Sequence, residues 1–389
     1  MFKNTLLFIV FLTWGCQGQN SPIILGIEQL DAYIPLLTGK AVGIVANASS
    51  VIPTEKETKT HLIDSLLTKN INIKAVFAPE HGFRGTAANG AYIEDEVDPN
   101  TKLPIHSLHG KDIKPTPNQL SGIDLILFDL QDVGLRFYTY ISTLHYVMEA
   151  CAEQGVSLVI LDRPNPNGHY IDGPILEKEY QSFVGMHPVP IVYGMTIGEY
   201  AQMINGQGWL KNGLICDITV IPLQYYTHQT RYDLPLRPSP NLRTAKSINL
   251  YPSLCLFEGT DISVGRGTDT PFEIFGSPSL SPEEFDFSFK PVSQQGAVNP
   301  PHLGKQCFGK DLSKTEDLSA IRLDWLIETF KDYHKKGIPF FNNYFNKLAG
   351  NSGLRKSIER GESAQSISAG WQEGLERFKV IRSNYLIYN

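Results

Sequence analysis

Between residues 41 and 221 the chain alternates two patterns. Short runs that are apolar at nearly every position are separated by longer stretches in which apolar residues return every three or four places. The runs are Ala41–Ala46 (AVGIVA), 73–78 (IKAVFA), 124–130 (DLILFDL), Ser157–Leu161 (SLVIL) and 216–221 (CDITVI). A strand buried on both faces has no polar side and loses the every-other-residue alternation of a half-exposed one. Between the runs, 58–69 (TKTHLIDSLLTK) sets Leu62, Ile63, Leu66 and Leu67 on one helical stripe, and 142–154 and 196–205 carry further helices. Strand and helix alternating at this spacing predict βαβ units and a mostly parallel, Rossmann-like sheet.

The pattern changes after 223–249, a stretch rich in Pro and polar residues that reads as a linker or active-site loop near a domain boundary. Beyond it come short apolar pieces, Pro-rich turns at 277–282 and 299–301, and helices over 318–335 and 366–381. This predicts a second, smaller α+β domain. The chain then divides into 23–246 and 247–389, and 389 residues are ample for two cores. With 34 Lys and Arg against 40 Asp and Glu, the formal net charge is -6 and no long basic run occurs. Such a chain does not grip nucleic acid by its phosphates and gains little from an anionic membrane surface. A small molecule, a sugar or another protein is the expected partner. No GxGxxG follows the first strand and no GxSxG elbow occurs, so neither dinucleotide binding nor an esterase is supported.

Residues 1–20 carry one early Lys, an apolar core over 6–12 and a Gly15-Cys16 pair. The apolar stretch is far shorter than the ~20 residues of a membrane-spanning helix, so it is expected to be a signal peptide. Gly15-Cys16 resembles a lipobox, with Cys16 as the lipid-bearing residue. Trp14 is bulky for that motif and leaves simple cleavage within 17–20 as the other outcome. The other cysteines, Cys151, Cys216, Cys255 and Cys307, are widely spaced, form no CxxC and sit among apolar residues. They read as buried free thiols rather than disulfide or zinc partners.

In open α/β sheets, ligands bind beyond the carboxyl ends of the strands. Those ends read Asn47-Ala48-Ser49-Ser50, then Pro79-Glu80-His81-Gly82-Phe83-Arg84, then Asp129-Leu130-Gln131-Asp132 running on to Arg136, then Asp162-Arg163-Pro164-Asn165. Glu80 leaves an apolar strand behind a stiffening Pro, and partial shielding there would raise its pKa toward that of a general acid. The bland alternative is a Glu80–Arg84 pair. His81 is a site residue or a structural hydrogen-bonder. Asp129 orients a base or water, or else pairs with Arg136. Asp132 and the polar Asn165 and Asn241 join the candidates, with Tyr138 and Tyr140 as stacking faces for a sugar ring or else as core residues. Arg163 suits a carboxylated ligand, because guanidinium matches a carboxylate bidentately. Residues 257–272, with Glu258, Ser263, Arg266 and Thr268 among three glycines, resemble an anion-cradling nest of backbone N–H groups, or else form a structural turn.

Together PEHGFRG (79–85), the stretch over 129–140, LDRPNPNG (161–168), RPSPNL (237–242) and FEGTDISVGRGTDTPFE (257–273) resemble the exo-β-N-acetylmuramidase family of the NamZ type. The likeness runs from about residue 39 to 389, with five motifs in order. It implies a Rossmann-like N-terminal domain, a smaller C-terminal domain and an active cleft between them, without metal or cofactor. It also implies removal of N-acetylmuramic acid from the non-reducing end of peptidoglycan fragments, with Glu80 as the catalytic acid. The second catalytic group stays open among Asp129, Asp132, Glu258 and the substrate's own acetamido group. Muramic acid differs from N-acetylglucosamine by a lactyl ether bearing a carboxylate, so a selective enzyme needs a cation there. Arg84, Arg136, Arg163 and Arg266 are the candidates, Arg266 and Arg163 foremost. An exported enzyme of the periplasm or outer membrane, held there by lipid and acting in cell-wall turnover, is the expectation. A non-catalytic muropeptide-binding lipoprotein is the alternative.

Overall fold

The computed structural model describes residues 22–53, 60–83 and 95–388. The expected signal peptide, Cys16 and Arg84 lie outside the described residues. The strands of the first part are β1 (Ala41–Ala46), β2 (Val51–Ile52), β3 (Thr60–His61), β4 (Asn72–Ala78), β5 (Glu96–Val97), β6 (Pro104–Ser107), β7 (Leu125–Asp129), β8 (Ser157–Leu161) and β9 (Ile218–Ile221). Seven of them form one sheet in the order β5-β6-β4-β1-β7-β8-β9, and β2 and β3 pair separately. Only the edge strand β5 runs antiparallel. Counting the six parallel strands in chain order gives 3-2-1-4-5-6, the doubly wound Rossmann order.

The uniformly apolar runs are explained by the two faces they serve. Val45 of β1, Phe128 of β7 and Ile160 of β8 enter one core, while Ile44, Leu127 and Leu161 beside them enter the other. Each fully buried side chain of this size contributes about 1.5–3 kcal/mol. Helix α1 (Leu30–Leu37) leads into β1, and α2 (Leu62–Thr68), α3 (Pro117–Leu120), α4 (Tyr140–Gln154) and α5 (Ile197–Gly206) connect the strands. The helix expected over 58–69 starts only at Leu62, because Thr60 and His61 pair with β2 and the His61 ring accepts from the Ile63 N–H. The last strand begins at Ile218 rather than 216, because the Asn205 side chain occupies both backbone groups of Cys216.

Past the Pro-rich stretch, α6 (Ala245–Leu254) leads to a three-stranded antiparallel sheet of β10 (Ile274–Ser277), β11 (Phe287–Phe289) and β12 (Cys307–Asp311) with β12 central. Helices α7 (Asp324–Lys335), α8 (Phe345–Ala349), α9 (Gly353–Glu359), α10 (Ala364–Ala369) and α11 (Gln372–Arg382) follow. This is the α+β part. The helix expected from 318 starts six residues later. Ile321 N–H binds the Asp172 carboxylate and Arg322 N–H the Ser253 hydroxyl, which hold that segment extended. The helix expected over 366–381 is two helices that part at Gly370. The larger core runs without a break from Phe128 through Tyr251, Phe257 and Phe275 to Leu326 and Phe345, so the two parts share one interior. Cys151, Cys216, Cys255 and Cys307 are buried free thiols.

Candidate active site

The carboxyl ends of β1, β4 and β7 meet where the strand order reverses, and a cleft opens above them. After β4 the chain makes a tight turn, closed by Gly82 N–H donating to the Pro79 carbonyl at 3.0 Å. Its third residue, His81, has φ of 73°, a left-handed conformation that costs a non-glycine residue about 1–2 kcal/mol. Such strain persists where surrounding packing holds it, and it gathers at functional clefts. Here the turn presents both Glu80 and His81 to a cavity of about 390 Å³.

Glu80 is 7% exposed and accepts a hydrogen bond from Thr139 Oγ1 on its Oε2 at 2.8 Å. Its Oε1 lies 4.0 Å from His109 Nε2. Phe183, Val184, Leu242 and Phe272 supply apolar lining, and Glu258, Arg266 and Tyr344 join it from the C-terminal part. Glu258 Oε1 accepts from Arg266 Nε at 2.6 Å, and the Arg266 guanidinium lies 5.0 Å from the centre of the Phe272 ring. The Tyr344 phenol is pushed up by burial, then by Cys255, Glu258 and Glu80, so it stays protonated at neutral pH. A cavity of this volume, with aromatic lining and two carboxyl groups, has the size and chemistry to take a sugar ring. A second hollow of about 360 Å³ shares His81 and Ser239 with the first and is walled by Asn47, Ser49, Tyr140, Arg237, Arg243 and Gln294.

Several residues expected in the cleft are instead its scaffold. Asp129 is fully buried and takes both Arg163 Nε and Nη2 at 2.7 Å, so neither is available to substrate. The Asp129–Arg136 pair weighed from sequence does not form, because Arg136 is fully buried with its guanidinium on four backbone carbonyls. Asn165 is buried, donates to the Met195 carbonyl and accepts from Asn167 N–H. Asn241 donates to the Gly296 carbonyl, which fixes the loop that carries Gln294. In the 257–272 loop three backbone N–H groups turn inward, Gly265 to Ser263 Oγ, Thr268 to Gly265 O and Phe272 to Val264 O, and are not offered to an anion. Ser263 is fully buried and the Thr268 hydroxyl closes its own turn. Tyr138 lines the cavity by its ring while its hydroxyl holds the Pro238 carbonyl at 2.7 Å. His109, Thr139, Phe183, Tyr251, Tyr344, Arg237 and Arg243 line the cleft without having been singled out from sequence. Among the described residues no cluster of three or more His, Cys, Asp or Glu is placed to hold a metal ion.

Asp132 is also scaffold, and it makes stability depend on pH. Its Oδ2 accepts from Tyr193 and from Gly134 N–H, while its Oδ1 is buried without a partner. Burial pushes its carboxyl up to about 7, against the weaker lowering effect of the Tyr193 hydroxyl and the Gly134 and Val133 N–H groups. Burial likewise takes Asp162 up to about 6. The folded state then holds a proton on Asp132 that the unfolded chain releases near 4. Stability from this group is complete below that pH and is lost as pH rises through 7, at up to about 1.4 kcal/mol per pH unit. Denaturant unfolding of Asp132→Asn, followed from pH 5 to 8, is expected to show a flatter profile than the unsubstituted protein. Equal slopes would mean that Asp132 stays ionised.

Relatives with this architecture are identifiable. The sequence model described as exo-β-N-acetylmuramidase NamZ, N-terminal, matches residues 42–246, and its C-terminal counterpart matches 249–388. The chain is 38% identical over 382 residues to peptidoglycan β-N-acetylmuramidase NamZ of Bacillus subtilis (strain 168), spanning 93% of this chain and 91% of that one. Crystal structures of two DUF1343 family proteins of Bacteroides fragilis NCTC 9343 superpose on it. One has a TM-score of 0.87 at 46% identity, covering 95% of this chain and 99% of its own. The other has a TM-score of 0.79 at 26% identity, covering 94% and 99%.

Proposed function

We propose, for a chain that belongs to the exo-β-N-acetylmuramidase NamZ family and is therefore a glycosidase, that it releases N-acetylmuramic acid from the non-reducing end of peptidoglycan fragments. The observation that carries this reading is that Glu80 and Glu258 line one sugar-sized cavity. Glu80, supported by Thr139, protonates the glycosidic oxygen as the bond breaks. Glu258, steered by Arg266, presents its carboxylate to the anomeric carbon and stabilises the positive charge that develops there, or guides the group that attacks it. Asp129 and Asp132, the other carboxylates weighed from sequence, are sealed beneath the cleft. Action outside the cytoplasm, in cell-wall turnover and with a lipid on Cys16, is the setting this substrate calls for. Among the described residues no helix is long and apolar enough to cross a membrane.

The experiment is a digestion of peptide-free glycan chains that end in muramic acid or in N-acetylglucosamine. Chains ending in muramic acid should lose that single sugar first, and glucosamine-capped chains should resist. Internal fragments, or no release from either, would overturn the exo assignment.

A further inference from the structure

The cleft is divided by charge. The half with the aromatic wall holds both carboxylates, Glu80 and Glu258. The adjoining half holds two guanidinium groups, Arg237 and Arg243, among amides and hydroxyls and, among the described residues, with no carboxylate in its wall. Arg243 reaches only neutral acceptors, the carbonyls of Pro240, Thr268 and Asp269 and the Gln294 side chain, at 3.0–3.4 Å. Arg237 is exposed and has no hydrogen-bond or ion-pair partner among the described residues. Both charges thus face the hollow uncompensated.

Arg237 nevertheless stands on a fixed base. It precedes Pro238, which holds its backbone extended. The Pro238 carbonyl accepts from the Tyr138 hydroxyl at 2.7 Å and the Tyr140 hydroxyl at 3.4 Å, and Asn47 donates to Tyr140 at 2.7 Å. A cation anchored at its backbone and unpaired at its tip is prepared for an anion that arrives with the substrate. The arginines ranked first from sequence are otherwise engaged: Arg163 on Asp129 and Arg266 on Glu258.

We propose that the Arg237–Arg243 half of the cleft binds the lactyl carboxylate of muramic acid, with Arg237 making the charged contact and Arg243 adding field from behind. This rests on the muramidase reading and supplies its specificity. The ring bound beside Glu80 projects its O3 substituent past His81 and Ser239, the two residues common to both halves. N-acetylglucosamine has nothing to offer these cations and leaves them merely hydrated.

The test crosses two substrates with two proteins. A chromogenic N-acetylmuramic acid glycoside and the same glycoside with its lactyl carboxylate converted to the carboxamide are each given to the unsubstituted protein and to Arg237→Gln. The unsubstituted protein should favour the carboxylate by about 10- to 100-fold in kcat/KM, and less at high salt, where exposed charges are screened. Arg237→Gln should lose that preference and handle both substrates alike. An equal loss on both, or none on either, would overturn the inference while leaving the muramidase reading standing. A calorimetric titration of free N-acetylmuramic acid separates the two in the other direction, using Glu80→Gln with and without Arg237→Gln. Binding that requires Arg237 supports the inference even where no glycoside is cleaved, and binding indifferent to Arg237 removes it.

Discussion

Glu80→Gln is expected to leave a folded protein whose kcat on a natural disaccharide falls at least ~1,000-fold with little change in KM, within the range a positioned general acid supplies. The amide keeps the volume of the carboxyl and can still accept from Thr139, which now reaches Glu80 Oε2 at 2.8 Å. What it loses is a transferable proton. A second substrate makes the role visible. A nitrophenyl glycoside departs as a stable phenolate and needs little protonation, so Glu80→Gln should lose far less on it, about 10- to 100-fold. Glu258→Gln should lose equally on both, because a carboxylate acting at the anomeric carbon is needed whatever the leaving group. If Glu80→Gln suffered the same loss on both substrates, its role would be to position the sugar. If it kept a tenth of the activity on the disaccharide, the acid would be elsewhere.

The contrast between those two carboxylates marks what the sequence could tell. The sheet was legible because strands such as β7 and β8 carry four apolar residues in a row, a pattern that burial on both faces produces. Glu80 was legible because a single strand end, read locally, places it. Asp129, Asp132 and Arg163 carry the same local signal, a charged residue at the end of an apolar run, yet all three are buried, Asp129 on Arg163 and Asp132 on Tyr193 and the Gly134 N–H. Which way such a side chain points depends on neighbours distant in sequence: Asp129 is settled by Arg163, 34 positions away. Arg237 was passed over for the converse reason. Its Pro-rich surroundings give no periodicity, and its place in the cleft comes from Tyr138 and Tyr140, about 100 residues earlier. The C-terminal helices were misjudged where Asp172 and Ser253 hold residues 321 and 322 extended, contacts that no local pattern encodes.

Arg136→Met is expected to cost about 3–5 kcal/mol of stability, a large part of the 5–15 kcal/mol that a folded protein has to lose. The guanidinium of Arg136 is fully buried and meets no carboxylate. Its Nη1 donates to the carbonyls of Pro174 and Val189 at 2.7 and 2.8 Å, and its Nη2 to those of Leu348 and Ala349 at 3.0 and 2.7 Å. Burial presses its pKa down to about 9, so holding this charge has its own cost. Removing a buried charge can be neutral when its partners leave with it. Here the partners are backbone, and they stay. Methionine would fill the space and strand the carbonyls of Pro174, Leu348 and Ala349 at about 1–3 kcal/mol for each that finds no water, while the Val189 carbonyl keeps the Leu176 N–H at 3.2 Å. Two of them close the C-terminal end of α8, where the helix dipole adds to their demand for a cation. Lysine, with its charge at one point, cannot span both pairs and should recover only part of the loss. The effect should also reach the cleft. Tyr344 and Leu348, at the start of α8 and within it, line the cavity. Gly259, next to Glu258, lets Phe345 of the same helix approach so closely that a Cβ there would lie 2.4 Å from its Cα. Loosening α8 therefore frees the segment that carries Glu258. At a temperature where Arg136→Met is still folded, kcat should fall by more than the unfolded fraction explains. A variant within 1 kcal/mol of the unsubstituted protein and fully active would mean that water replaces all four hydrogen bonds, and that α8 is held by its apolar contacts alone.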